Sequence, residues 1–157
     1  MTDINVEEFF KDSAKILATL YQTFPRRHTL FVENFCGAEE PGEFGMHSDR
    51  HMSCLGTLMW LGEEGYLRYE QTIRTEALDQ AILTDRCFTL LSAPCFDLGE
   101  PTTTLPPSEQ LEQATHIYRI RMALDERSST SVRAAISELM LHMAALQPVA
   151  RFSHSSG

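Results

Sequence analysis

A chain of 157 residues with 43% apolar content is long enough to bury one real core and too rich in large apolar side chains to stay globally disordered. Its 13 basic and 22 acidic side chains leave a net charge of −9, a field that repels phosphate at long range and excludes a uniformly basic nucleic-acid-binding surface. No apolar run reaches the roughly 18 residues of a membrane span, and the first residues lack a basic region followed by an apolar one, so the expectation is a cytoplasmic protein. The cysteines at 36, 54, 87 and 95 show no paired CxxC spacing and are expected to be reduced, mostly buried thiols.

Asp3 or Asn5 can cap a first helix running to about Phe24, with Val6, Phe9, Phe10, Ala14, Leu17, Leu20 and Tyr21 at three- and four-residue steps. Pro25 stops it, and Arg26-Arg27-His28 follows as the most basic spot of the first 92 residues. Leu30 to Phe35 is a short apolar segment, read as a second helix in preference to a strand. The acidic, glycine-rich residues 37–45 form a loop. A third helix is expected to start near Ser48-Asp49 and to end at Gly65, which supplies the positive φ of a helix stop. On a wheel, His47, His51, Cys54, Leu55, Leu58, Met59 and Leu61 share one face, and Asp49, Arg50, Ser53, Thr57, Trp60 and Glu64 the other.

Tyr66 to Tyr69 then suits a strand and Ala81-Ile82-Leu83 a returning one, with a wing near residues 70–79 between them. Thr84 caps a helix with Asp85 in its first turn and Cys87, Phe88, Leu90 and Leu91 as its apolar face. Residues 93–107 are rich in proline and threonine and read as a linker. Ser108 is expected to cap a helix to about Asp125; the alternating HIYRIRM could be a strand, but its flanks favour helix. Ser128 to Ser131 turns the chain into a last helix to about Gln147. Its Val132, Ile136, Leu139, Met143 and Leu146 form a heptad-like seam, and residues 148–157 form a flexible tail. The predicted class is mainly α with a small β-hairpin (α+β).

The stretch WLGEEGYLRYE, followed after a variable segment by ILTDRCFTLL, resembles winged helix-turn-helix regulators of the MarR and PadR type over about residues 4–92. That family pattern has a Leu-x-x-x-Gly-Tyr-Ile strand entry and a Leu-Thr-x-x-Gly helix start; Cys87 stands here where the glycine often is. The resemblance implies a winged-helix domain over those residues. It also implies a transcription regulator whose helix 48–64 enters the major groove of duplex DNA. The helices of 108–147 read as a C-terminal hairpin, whose Val132–Leu146 seam either forms a homodimer interface, the favoured reading, or packs in the hairpin against its own domain.

The DNA-contacting set would be Arg50, Ser53 and Thr57 on that helix, Arg68 and Arg74 at the wing, and Arg26 and Arg27 clamping phosphate. These are few cations for several phosphates, and residues 1–92 are themselves −7. The alternative is an acidic winged-helix protein-interaction module that does not bind DNA, with Trp60 anchoring the partner. A tryptophan packed on the wing or the first helix is the blander reading of that residue.

His47, His51 and Cys54 stack at i, i+4 and i+7, and Cys36 could complete a metal-binding set. A core cysteine with boundary histidines is favoured over a metal, and no cofactor is expected. No GxSxG, P-loop, HExxH or dinucleotide-binding pattern occurs, and adjacent acidic pairs such as Glu63-Glu64 read as solvated, so an enzyme is not expected.

Overall fold

A computed structural model describes residues 3–38, 45–94, 108 and 112–146. The described chain is mainly helical, with a small antiparallel sheet. Helix α1 (Ile4–Thr23) buries Ala14, Leu17 and Leu20 of the expected apolar stripe, and Ile16 beside them. It stops as expected: Phe24 adopts extended ψ, which the ring of Pro25 enforces on the residue before it.

The segment read as a second helix divides in two. His28–Phe31 is strand β1, and only Glu33–Cys36 closes a single helical turn, α2. Tertiary pairing overrides the local preference. Leu30 sits opposite Leu78 in the sheet, and the Val32 amide donates to the Glu76 carbonyl at 2.9 Å, so the backbone bonds of this segment go to a strand far along the chain. Residues 39–44, most of the expected acidic loop, lie outside the described residues.

Helix α3 (Asp49–Glu63) begins where the capping chemistry places it, with Ser48 Oγ accepting from the His51 amide at 3.1 Å. Gly65, at φ +83°, ends it, and the Tyr66 amide reaches back to the Leu61 carbonyl at 2.8 Å. Strands β2 (Leu67–Arg68) and β3 (Gln71–Ile73) both pair with one edge of β4 (Ala77–Leu83), and β1 pairs with the other. The returning strand is thus longer than the Ala81–Leu83 expected. Register pairs Leu67 with Leu83, Thr72 with Leu78 and Ile73 with Ala77, so the segment expected as a wing narrows to the turn Arg74–Glu76. Helix α4 (Asp85–Ser92) follows under Thr84, which accepts from the Cys87 amide and donates to the Gly65 carbonyl at 2.7 Å. One threonine therefore ties the end of α3 to the start of α4.

The expected helix 108–125 is not continuous. Ser108 and Glu112 are helical, but the regular helix α5 runs only His116–Glu126, with Thr115 as a new cap. The break arises because Thr115 bridges Pro94 and the His116 amide bonds the Ala93 carbonyl, drawing the chain against the end of α4. HIYRIRM lies within this helix and is not a strand. After Arg127 in the left-handed region, α6 (Ser129–Ala145) begins under the Ser128 cap, as expected. Of the heptad-like seam, Val132, Ile136, Leu139 and Met143 are buried and Leu146 is half exposed. They join Leu17, Leu20, Leu58, Leu61, Ile117 and Ile120 in one core cluster. The C-terminal pair of helices therefore packs on α1 and α4 and completes the core of the same chain, leaving little of the seam for a second subunit. The tail and most of the 93–107 linker lie outside the described residues.

Candidate functional site

Helix α3 packs on α1, on α2 and on β2, and this packing decides what its side chains can do. Arg50 does not face outward. Its Nη1 and Nη2 donate to Asp12 Oδ2 and Oδ1 at 2.7 and 2.6 Å, a two-pronged clamp on a fully buried carboxylate of α1. Its Nε also lies 2.9 Å from Glu8 Oε2, and the paired carboxylates push the guanidinium further toward its charged form. Thr57 is likewise buried and donates to the Ser53 carbonyl at 3.1 Å. Of the three groups expected to read bases, Thr57 is buried, Arg50 is partly exposed but held by carboxylates, and only Ser53 is both partly exposed and uncharged. The exposed positions of α3 are Asp49, Met52, Gly56 and Glu63: two acids, a thioether and a bare backbone. A Cβ added at Gly56 would meet nothing within 4 Å.

The other expected DNA contacts are solvent-facing but scattered. Arg68 and Arg74 are exposed along the β2–β3 edge, Arg74 in the turn at φ +51°. Arg26 and Arg27 are exposed after α1, and Arg27 Nη1 donates to the Gln80 carbonyl at 3.2 Å.

Trp60 packs within the molecule. Its ring meets Phe9 of α1 edge-on at 5.2 Å and lies over Tyr66 at 5.8 Å, so the blander of its two readings fits the geometry. At 100° per residue Arg50 and Thr57 fall beside Cys54 and Leu61, so the face that α3 turns inward, against α1 among others, includes them, and Asp49, Met52, Gly56 and Glu63 take the solvent side.

The histidines come together with a different partner from the one expected. The rings of His47 and His51 stack in parallel, 3.7 Å between centroids and 5° between planes. His47 Nε2 lies 2.8 Å from Glu76 Oε1, and His51 Nε2 lies 2.7 Å from the Thr75 carbonyl oxygen. One ligand atom from each of His47, His51 and Glu76 fits within 4.8 Å of the others. Cys54 is not among them. It is fully buried with Sγ 3.8 Å from the Val32 carbonyl, and burial drives its thiol well above the ordinary range, against the thiolate that a metal requires. Cys36 directs Sγ to the Gly37 carbonyl at 3.5 Å. Cys87 is buried too, its thiol pushed up to about 12. Cys95 lies outside the described residues.

Glu76 escaped the sequence reading because it is remote in sequence and meets the histidines only through the β3–β4 turn. The same holds for a cleft of about 840 Å³ where α1 meets the start of α6. Lys11 and Lys15, the only lysines of the chain, line it together with Arg127 and Arg133. Arg133 lies over the Phe10 ring at 4.9 Å, and Lys15 is held below the usual lysine range by burial and by Lys11. The basic concentration of this acidic protein is therefore away from the outward face of α3.

Compared with protein-family models, curated proteins and solved structures, the chain matches none. No described helix is long and apolar enough to cross a membrane.

Proposed function

We propose that this protein is a winged-helix-type interaction module that docks a protein partner and does not read duplex DNA through α3. The winged-helix part of the reading is supported by element order and pairing: helix, strand, helix, helix, then an antiparallel hairpin whose last strand takes β1 on its far edge. The choice of partner rests on one observation. Arg50, the only cation of α3, is consumed by Asp12 and Glu8, which leaves Asp49, Met52, Gly56 and Glu63 as the surface that would enter a groove. A major groove is flanked by phosphate and carries acceptors beside its donors, and two carboxylates there meet phosphate repulsion with no free cation on the helix to offset it. A protein surface accepts the same face: methionine adapts to an apolar counterpart, and bare backbone at Gly56 permits close approach.

The test is fluorescence anisotropy with the full chain and mixed-sequence duplex at low salt, beside photo-crosslinking from position 56. The reading expects no salt-dependent retention of duplex down to about the micromolar range in which non-specific binding by basic proteins lies. It also expects a protein adduct at position 56 that Met52→Glu removes. Duplex binding that weakens steeply with salt and falls on Arg68→Ala or Arg74→Ala would overturn it in favour of a DNA-binding regulator.

A further inference from the structure

We infer that His47, His51 and Glu76 form a binding site for a borderline divalent cation of the zinc class, which clamps the β3–β4 turn onto the start of α3. The inference is independent of the partner-docking reading, because neither the site nor its test involves the outward face of α3.

Three observations carry it. The donor types are right: two imidazoles and a carboxylate suit zinc, cobalt or nickel, whereas magnesium and calcium favour oxygen-only sets. The spacing is right. Donors about 2.1 Å from a tetrahedral ion stand roughly 3.4 Å apart, and the three donors here lie within 4.8 Å of one another, with His47 Nε2 2.8 Å from Glu76 Oε1. Closure onto an ion needs side-chain shifts of about an ångström, and Glu76 is half exposed and at liberty to make them. The support is also right. The Thr75 carbonyl can only accept, so Nε2 of His51 carries the proton and the lone pair stands on Nδ1. A backbone carbonyl holding one ring nitrogen is the usual way a ligating histidine is oriented.

His51 is almost fully buried in the first turn of α3 and is the fixed ligand. His47, stacked parallel on it just before the Ser48 cap and partly exposed, tilts out of the stack to bring its in-plane lone pair onto the same ion. Glu76 ends the turn whose own backbone carbonyl receives the Val32 amide. Burying His51 in this way orders one of the three protein ligands before any ion arrives. Protein ligands at three positions leave a fourth for water or for a donor from another molecule.

The experiment uses the full chain, stripped with a chelator and titrated with Co²⁺ by absorption spectroscopy and with Zn²⁺ by calorimetry. The expected result is one equivalent of either metal, a cobalt ligand-field spectrum with no thiolate-to-cobalt charge-transfer band, and a raised melting temperature. His47→Gln and Glu76→Gln, both at partly exposed positions that leave the core intact, are each expected to lower affinity at least tenfold. Absence of saturable binding would overturn the inference. So would binding that survives both substitutions, or a thiolate band, which would assign the metal to cysteine.

Discussion

If Arg50 is structural, removing it should unfold the protein before it changes any ligand. Replacing Arg50 by leucine leaves the Asp12 carboxylate fully buried without its two charge-assisted hydrogen bonds. Breaking a buried ion pair from one side costs about 3–5 kcal/mol, because the remaining charge stays desolvated. Arg50 itself keeps nearly a third of its side-chain surface in water, so the lower end of that range applies, about 3 kcal/mol. At roughly 2–4 °C per kcal/mol for a chain of this size, the melting temperature falls by about 6–12 °C. Asp12→Asn should cost less, because the guanidinium keeps Glu8 and solvent. The double variant Asp12→Asn/Arg50→Leu should cost less than the sum of the two, by about 1–3 kcal/mol of coupling. Urea unfolding followed by circular dichroism at pH 7 measures all three. The argument fails if Arg50→Leu shifts the unfolding free energy by less than about 0.5 kcal/mol, the range of an ordinary surface substitution.

Gly56→Ala is expected to stabilise the chain by about 0.5–1 kcal/mol, since a mid-helix glycine is entropically costly and the added Cβ meets open space; a lower urea midpoint would place a hidden neighbour there. His116 gives the pH dependence. Burial, with His142 at 2.8 Å, lowers its pKa, so the unfolded chain protonates first. The stabilisation from a neutral His116 is therefore complete above about pH 6.5 and is lost as pH falls toward the folded value, by at most about 1.4 kcal/mol per pH unit. The advantage of wild type over His116→Gln should shrink between pH 7.5 and 5.5 in parallel urea titrations; an advantage that grows on acidification contradicts the assignment.

Local chemistry was legible in the sequence wherever a residue acts on its own neighbours. Ser48, Thr84 and Ser128 cap the helices they were expected to cap, and Gly65 ends α3, because a cap or a positive φ is settled within four or five residues. Where the outcome depends on a distant segment, the chain departs from its local preference. His28–Phe31 pairs with Ala77–Ala81 and becomes a strand, and Thr115 bridges Pro94 and interrupts a helix that propensity would have continued. The site follows the same division. The spacing of His47 and His51 announces that they share a face, but nothing local announces Glu76.

Arg50 shows most plainly how that division bears on function. A cation on a candidate recognition helix is an argument for DNA only while its charge is available. The counter-charge that removes it, Asp12, was in the sequence from the start, one of several polar residues on an amphipathic helix. Its burial at the α1–α3 contact could not be read from α1 alone, because Asp12 lies beside Ser13 and Ala14 where the helix turns its inner face to α3. Here Arg50 is spent on the α1–α3 junction, and Lys11, Lys15, Arg127 and Arg133 gather at the α1–α6 cleft. The face left on α3 is therefore one that a protein surface can cover and a phosphate backbone repels.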